Sequence, residues 1–368
     1  MEGVLTIVIA FYCLLMLYYH RSLNKLFKSK EKGDLLNVSI DLVIAYRNEM
    51  DNLPNLMSDL GMLDCTGIDL TVYLINDHST DEGPQFVDDC CQDSNRFIRP
   101  INLSDQFGKK AAINQVIQKL TADWVLFTDA DCRMDRDWIQ SYRNTLSQNH
   151  EAVCVIGSVK LTGGNTLFKR FQQLEFMSLQ AATAASCLAN RPIMCNGANW
   201  MINRAAYLKE SNQIKSQLAS GDDMFILHAL KKEKSNSIVY NRMLGAKVET
   251  ETVENLANFW QQRNRWTAKS KYYTDSTTIL ISLLVLFANI SFLMAIWYAF
   301  DTPGVVWFIL AKLASEFMVL QRYANFSGEK SLLKDFPLLA IFYPVYIILI
   351  VLSSIFVKFQ WKDRSYKA

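Results

Sequence analysis

Order is what the metal-binding residue types of this 368-residue chain lack. Its four histidines, His20, His78, His150 and His228, are scattered, and its eight cysteines, Cys13, Cys65, Cys90, Cys91, Cys132, Cys154, Cys187 and Cys195, include no CxxC pair. The pattern argues against a zinc site or a disulfide frame and for buried or free thiols in a reducing compartment. Neither sign of charge dominates: 38 Lys+Arg against 36 Asp+Glu leave a net charge of +2, which disfavours a polycation built to hold nucleic acid. With half of its residues hydrophobic and a fifth charged, the chain is no disordered polymer either. Internal repeats and low-complexity linkers are absent from the sequence.

What is present is unevenly placed. Long charge-free apolar runs cover Gly3 to Tyr19, Ser276 to Phe300 and Phe336 to Val357, each close to the roughly 20 residues that a helix needs to cross a bilayer. This composition predicts an integral membrane protein with an N-terminal transmembrane anchor (1–20), a C-terminal transmembrane region (276–358, two or three helices) and a basic tail (359–368). The first run has no basic residues before it and no small-x-small cleavage site after it, so it reads as an uncleaved anchor rather than a signal peptide. Arg21, Lys25, Lys28, Lys30 and Lys32 follow it and place the large middle segment in the cytoplasm, on the reading of a bacterial inner-membrane protein. A further stretch, Thr302 to Leu320, carries Lys312 and Glu316 one helical turn apart, where they can pair. Lys358, Lys362, Arg364 and Lys367 also ask for the cytoplasmic side, which favours a Thr302–Leu320 segment that stops short of a full crossing.

Between residues 36 and 275 short apolar runs alternate with amphipathic ones, the mark of one α/β domain with a mostly parallel sheet flanked by helices. Val38 to Ala45, Leu70 to Ile75 and Trp124 to Thr128 read as strands; Leu53 to Leu63, Ala111 to Leu120 and Phe168 to Leu188 read as helices. Phe171, Leu174, Phe176 and Leu179 give the last of these an apolar face suited to a membrane surface or a core. In open α/β sheets ligands bind beyond the carboxyl ends of the strands. There the chain places Tyr46-Arg47-Asn48-Glu49, then Asn76 to Asp81, then Asp129-Ala130-Asp131.

Asp129 and Asp131, alternate residues of an extended segment, can share one divalent ion, Mg²⁺ or Mn²⁺, whose remaining ligands are water and a diphosphate. Asp77, with Arg47 and Glu49, suits a nucleobase or ribose pocket, although such an Asn/Asp/Ser/Thr turn forms without a ligand too. Gly108-Lys109-Lys110 puts cations at a helix start, a phosphate-attracting or simply solvated arrangement, without the spacing of a Walker loop. Of Gly221-Asp222-Asp223, one acid can cap the helix that follows while the other serves as a general base; Asp223 is assigned as base and Asp222 as its support. Gln262, Arg265 and Trp266 precede the second apolar run, where Arg can hold a leaving diphosphate and an indole can stack on a sugar; an interfacial belt also accounts for Trp260 and Lys269.

Taken in order, these elements resemble family 2 glycosyltransferases, inverting enzymes of GT-A fold, and especially the membrane-embedded members related to cellulose and hyaluronan synthases and ceramide glucosyltransferases. Asn76 to Asp81 is similar to the family's DDGSTD turn, with Asn76 and His78 as departures; Gly108 to Asn114 is similar to GKAAALN; Asp129 and Asp131 match DxD, Asp222-Asp223 the ED pair, and Gln262, Arg265 and Trp266 QxxRW. The resemblance implies a nucleotide-sugar donor, a UDP-sugar first, bound by Arg47, Glu49, Asp77, Lys109 and Asp129. It further implies a divalent cofactor at Asp131 and Asp129, and an acceptor or diphosphate site at Gln262, Arg265 and Trp266. A cytosolic site beside a membrane surface suits a lipid or lipid-linked acceptor, and the few apolar helices available to build a polymer channel favour one or a few additions. A small processive polysaccharide synthase and a non-catalytic scaffold subunit are the alternatives.

Overall fold

The computed structural model describes residues 2–28, 36–93, 97–104, 107–211, 222–356, 359–361 and 364–366. They divide into two compact units: Ser29–Lys160 with Met194–Glu251, and Met1–Lys28 with Leu161–Ile193 and Thr252–Ala368.

The strands, in chain order, are β1 (Val38–Tyr46), β2 (Ile68–Asn76), β3 (Ile98–Asn102), β4 (Trp124–Asp129), β5 (Arg133–Met134), β6 (Cys154–Ile156), β7 (Val159–Thr162), β8 (Asn199–Asn203), β9 (Ile238–Tyr240) and β10 (Val248–Glu251). The first unit is built on a seven-stranded sheet of order β3-β2-β1-β4-β8-β6-β9. Neighbouring strands run parallel except at β8, which is antiparallel to both β4 and β6. The mostly parallel sheet read from the sequence is therefore present, with one reversed strand. β1 is buried at all but two positions, as a central parallel strand of Val, Ile and Leu must be. Its one charge, Asp41, is satisfied inside: Oδ2 accepts the backbone N–H groups of Thr121 and Ala122, both at 2.9 Å. Because β2 and β4 flank β1 on opposite sides, the chain reverses its winding there, and the carboxyl ends of β1 and β4 open a crevice. Register aligns the rim: Tyr46 pairs with Asn76 and Ala45 with Asp129.

Phe127 of β4 stacks on Trp200 of β8, with ring centroids 5.0 Å apart. At the start of β8, Asn199 is wholly buried and uses every polar atom: Oδ1 accepts from Trp138 Nε1 (3.0 Å) and Tyr142 OH (2.7 Å), while Nδ2 donates to Ser158 O (2.6 Å) and Ala246 O (2.7 Å). A buried amide with all its partners fixes the chain around it.

The second unit is helical. Four segments are long and apolar enough to cross a membrane: Gly3–Phe27, Ser276–Tyr298, Pro303–Ser327 and Lys330–Phe356. The stretch expected to stop short thus has, as a helix, the length and hydropathy of a full span. Large apolar side chains point outward along these helices, including Ile7, Phe11, Leu280 and Ile341, and Trp297, Phe300 and Trp307 stand exposed around one inter-helix turn. Helices apolar on all sides, with aromatics at their ends, suit a lipid environment. The Leu167–Leu188 helix buries Leu174, Phe176, Met177, Ala181 and Ala184, and it packs against Glu2–Leu23, Val306–Ser327 and Phe336–Phe356 within this unit. Of the basic tail, only Phe359–Trp361 and Arg364–Tyr366, a short antiparallel pair, belong to the described residues.

Candidate active site at the strand ends

The loop after β1 and the loop after β2 are stitched together by their own side chains. Asn48 takes a left-handed backbone (φ 52°), a conformation that Asn tolerates better than most residues. From there Asn48 Oδ1 accepts the Thr80 N–H (2.8 Å), and its own N–H reaches Ser79 Oγ (3.0 Å). Asp81 Oδ2 accepts the Met50 N–H at 2.9 Å, so this acid works as a loop brace. The bracing holds Arg47 and Glu49 on the same rim as Asp77. Asp77 itself is only 2% exposed, and its Oδ2 accepts the Gly108 N–H at 2.9 Å. The predicted nucleotide-pocket aspartate therefore also anchors the glycine turn ahead of Lys109. His78, a departure from the family turn, is left-handed too (φ 57°) and lays its ring 4.2 Å from that of Phe107.

Gly108 has φ 97°, a region that L side chains rarely enter, and starts the Lys109–Ile117 helix. Lys109 Nζ is ion-paired to Asp129 and donates to Gly197 O at 3.3 Å. Burial opposes its charge, but the Asp129 carboxylate prevails and holds the ammonium above its ordinary range, with Asp223 adding to the same field. Asp131 also lies close by. Its carboxyl is pushed up to about 6, first by desolvation and then by the carboxylates of Asp129 and Glu49, although the residue still touches solvent. Protein therefore surrounds Asp131 on several sides while leaving it open on another. Contrary to the extended geometry expected from the sequence, the chain turns after Asp129: Cys132 N–H bonds back to Asp129 O (3.2 Å), and Ala130-Asp131 form a turn. The two acids remain electrostatic neighbours through that turn, not through strand alternation.

Asp223 lies in the first turn of the Asp222–Lys234 helix, where its Oδ1 accepts the Met224 N–H at 2.9 Å. Its Oδ2 faces Gly197, where a β-carbon would stand 3.3 Å away. Gly197 thus lies beside the Asp223 carboxylate, and its carbonyl accepts from the Lys109 ammonium. Gly221 and the side chain of Asp222 lie outside the described residues. Two participants were not foreseen: Gly197, and Thr250, whose Oγ1 donates to Asp131 Oδ2 at 3.1 Å. The Asn196-Gly197 dipeptide before a strand was the available signal for the first.

Among the described residues no group of three or more His, Cys, Asp or Glu side chains forms a self-contained metal cage. The donor set fits a hard divalent ion nonetheless. Mg²⁺ and Mn²⁺ accept one or two carboxylates and complete their shells with water and phosphate oxygen, and the crowding of carboxylates on Asp131 is the condition that such a cation relieves.

In the helical unit, Gln262, Arg265 and Trp266 share one face of the Leu256–Ala268 helix at i, i+3 and i+4, all half-buried. Asn255 caps this helix, accepting the Asn258 N–H at 2.9 Å.

Residues 41–209 match the profile of glycosyl transferase family 2, a span that takes in Arg47 through Asp131 and ends before Asp223. An undecaprenyl-phosphate 4-deoxy-4-formamido-L-arabinose transferase of Enterobacter is 25% identical over 146 residues, 39% of this chain and 44% of that protein. A poly-β-1,6-N-acetyl-D-glucosamine synthase of Staphylococcus aureus is 25% identical over 140 residues, 38% of this chain and 33% of that protein. The matches span less than half the length of these curated relatives. Among solved structures, a mannosyltransferase of Pyrobaculum calidifontis in complex with GDP-mannose and Mn²⁺ superposes with a TM-score of 0.53 at 13% identity, covering 93% of this chain and 99% of that one. Most of the strand-end site just described therefore stands within residues 41–209, the stretch that matches glycosyl transferase family 2, and the chain has the GT-A fold.

Proposed function

We propose that the protein is a membrane-bound inverting glycosyltransferase that moves a sugar from a nucleotide-sugar, a UDP-sugar first, to a lipid or lipid-linked glycan at the cytoplasmic face. The convergence of Lys109, Asp129 and Asp223 around Gly197 carries this reading. Arg47, Glu49 and Asp77 hold the nucleoside, and Lys109 faces the diphosphate. A divalent ion, held by Asp131 and Asp129, supplies Lewis-acid stabilisation of the leaving phosphate when bound. Asp223 accepts the proton of the acceptor hydroxyl as its oxygen bonds to the anomeric carbon; the bond from that carbon to the diphosphate breaks, and inversion follows from one displacement. Asp222 supports the base. Gln262, Arg265 and Trp266 contact the acceptor or the departing diphosphate. The transferase domain takes residues 36–275, with residues 1–20 and 276–358 as membrane anchors. Arg21, Lys25 and Lys28, at the end of the first apolar segment, support a cytoplasmic site at a bacterial inner membrane.

The similarity to a polysaccharide synthase favours a second reading, a short processive polymerase, which product length separates from single addition. The test is nucleotide release by purified protein in lipid with UDP-glucose, UDP-N-acetylglucosamine and GDP-mannose, with Mn²⁺ and then with EDTA. The expected result is metal-dependent turnover of one donor. Turnover unaffected by EDTA would contradict the metal role.

A further inference from the structure

Of the two buried residues between Gln262 and Arg265, Arg263 carries more of the site's geometry than its place in the motif suggests. Arg263 is buried in the helical unit, and so is Glu175 on the Leu167–Leu188 helix. Arg263 Nη2 donates to Glu175 Oε2 at 2.7 Å, and its Nε lies 3.2 Å from Oε2 and 3.3 Å from Oε1. The remaining guanidinium edge, Nη1, donates to Gln262 Oε1. The flat cation also lies 4.3 Å from the Trp266 ring centroid and 4.6 Å from that of Phe259. A planar fork that stacks on aromatics and grips a carboxylate with two nitrogens has little rotational freedom left.

A third helix holds both of the helices that carry this pair. Tyr346, on the Phe336–Phe356 helix, donates to Glu175 Oε1 at 3.4 Å, and Ser353 on that helix accepts from Trp260 Nε1 and Asn264 Nδ2, both at 3.0 Å. Burying an ion pair costs desolvation that its own attraction often fails to offset, so such a pair is weak evidence for a purely stabilising role. What it does supply is direction: two residues of the proposed acceptor or diphosphate site, Gln262 and Trp266, are touched by Arg263, and each is oriented by it. With Oε1 engaged by Arg263, Gln262 presents its amide N–H groups as donors.

We propose that Glu175 and Arg263 are positioning residues, which hold the Gln262 amide and the Trp266 indole in the orientation that substrate requires. The inference rests on the role proposed above for Gln262, Arg265 and Trp266. Its test uses the full-length protein in lipid nanodiscs, with the nucleotide-sugar that wild type turns over best, and compares Arg263→Lys, the double variant Glu175→Met/Arg263→Met, and Arg265→Ala. Arg263→Lys keeps the charge but loses the fork and the stack; its kcat is expected to fall by about 100-fold, with donor KM little changed. The Met/Met pair removes both charges together, so its unfolding midpoint is expected to stay near wild type while kcat stays low. A Met/Met variant with wild-type kcat would show that the pair only packs and would overturn the proposal. Should Met/Met fail to fold, Arg263→Lys decides alone: unchanged kcat overturns the proposal, and a kcat loss at an unchanged unfolding midpoint supports it. Loss of kcat in step with the midpoint across these variants would also overturn it. Arg265→Ala separates the two claims, because full activity there removes the underlying reading and this inference with it. Inactive Arg265→Ala beside fully active Met/Met removes the inference alone.

Discussion

The sheet unit and the helical unit handle charge in opposite ways. At the strand ends, Glu49, Asp129 and Asp131 repel one another and Lys109 answers only part of their charge, in positions that still reach solvent. Among the helices, charges meet partners of opposite sign: buried Arg263 with buried Glu175, buried Lys312 with half-buried Glu316, and half-buried Arg170 with Asp335. Like charges held together lower stability, and a fold retains them where a ligand of opposite sign completes the set. Paired charges ask for nothing further. The first arrangement suits the binding and chemistry proposed above; of the second, Arg263–Glu175 and Arg170–Asp335 join separate segments of the helical unit, while Lys312–Glu316 pairs within one helix.

The largest expected effect breaks the first half of that contrast. Asp131→Asn should lower nucleotide release by about 10³-fold, because the carboxylate proposed to hold a cation that would stabilise developing phosphate charge is gone. Its unfolding midpoint should hold or rise, since a like-charge contact is relieved. A falling midpoint would make the strand-end acids structural. The second half is tested at Lys312, whose Nζ lies 2.6 Å from Glu316 Oε1, with Tyr12 OH also donating to that oxygen at 2.7 Å. Lys312→Met alone should cost about 3–5 kcal/mol in unfolding experiments in lipid, by stranding Glu316, whereas Lys312→Met with Glu316→Met should recover most of it. Equal losses in the two variants would mean that the pair is not acting as a pair.

Smaller effects sharpen the comparison. Gly197→Ala puts a methyl group 3.3 Å from Asp223 Oδ2, so turnover should drop about 10-fold through displacement of the carboxylate, with little change in unfolding. Unchanged turnover would separate Gly197 from the site. The smallest effect concerns Asp41, a buried carboxyl of the sheet unit. Burial raises its pKa despite the N–H groups of Ala122 and Thr121. A carboxyl that titrates higher when folded loses stability as pH rises through its folded value, and that cost is absent below the ordinary value of 3.8. Wild type should therefore gain on Asp41→Asn as the pH falls from 7 toward 4, in paired thermal melts; a constant difference would contradict this.

Much of the sheet unit was legible in the sequence because its signals are local. β1, β2 and β4 end within two residues of their predicted limits, and each is followed by the polar cluster that the rim requires. The apolar helices were legible for the same reason. What escaped were partners distant in the chain. Thr250 lies 119 residues from Asp131, and Glu175 lies 88 from Arg263, so no spacing announces either contact. Lys312 and Glu316, four residues apart, were foreseen as a pair. The extended geometry assumed for Asp129 to Asp131 failed because a strand end is free to turn once its ladder stops, and Cys132 closes that turn.

The central claim is that the strand-end acids move a sugar, with Asp223 as the base. Its most direct test is the appearance of radiolabelled glycolipid from labelled nucleotide-sugar and total membrane lipids, for wild type and Asp223→Asn side by side in the same bilayer. The account predicts a labelled lipid from wild type and about 10²–10⁴-fold less from the variant, with donor binding retained by both. Equal product from the two proteins would remove Asp223 as the base, and no product from wild type with any donor would turn the reading toward a scaffold that keeps the fold without the chemistry.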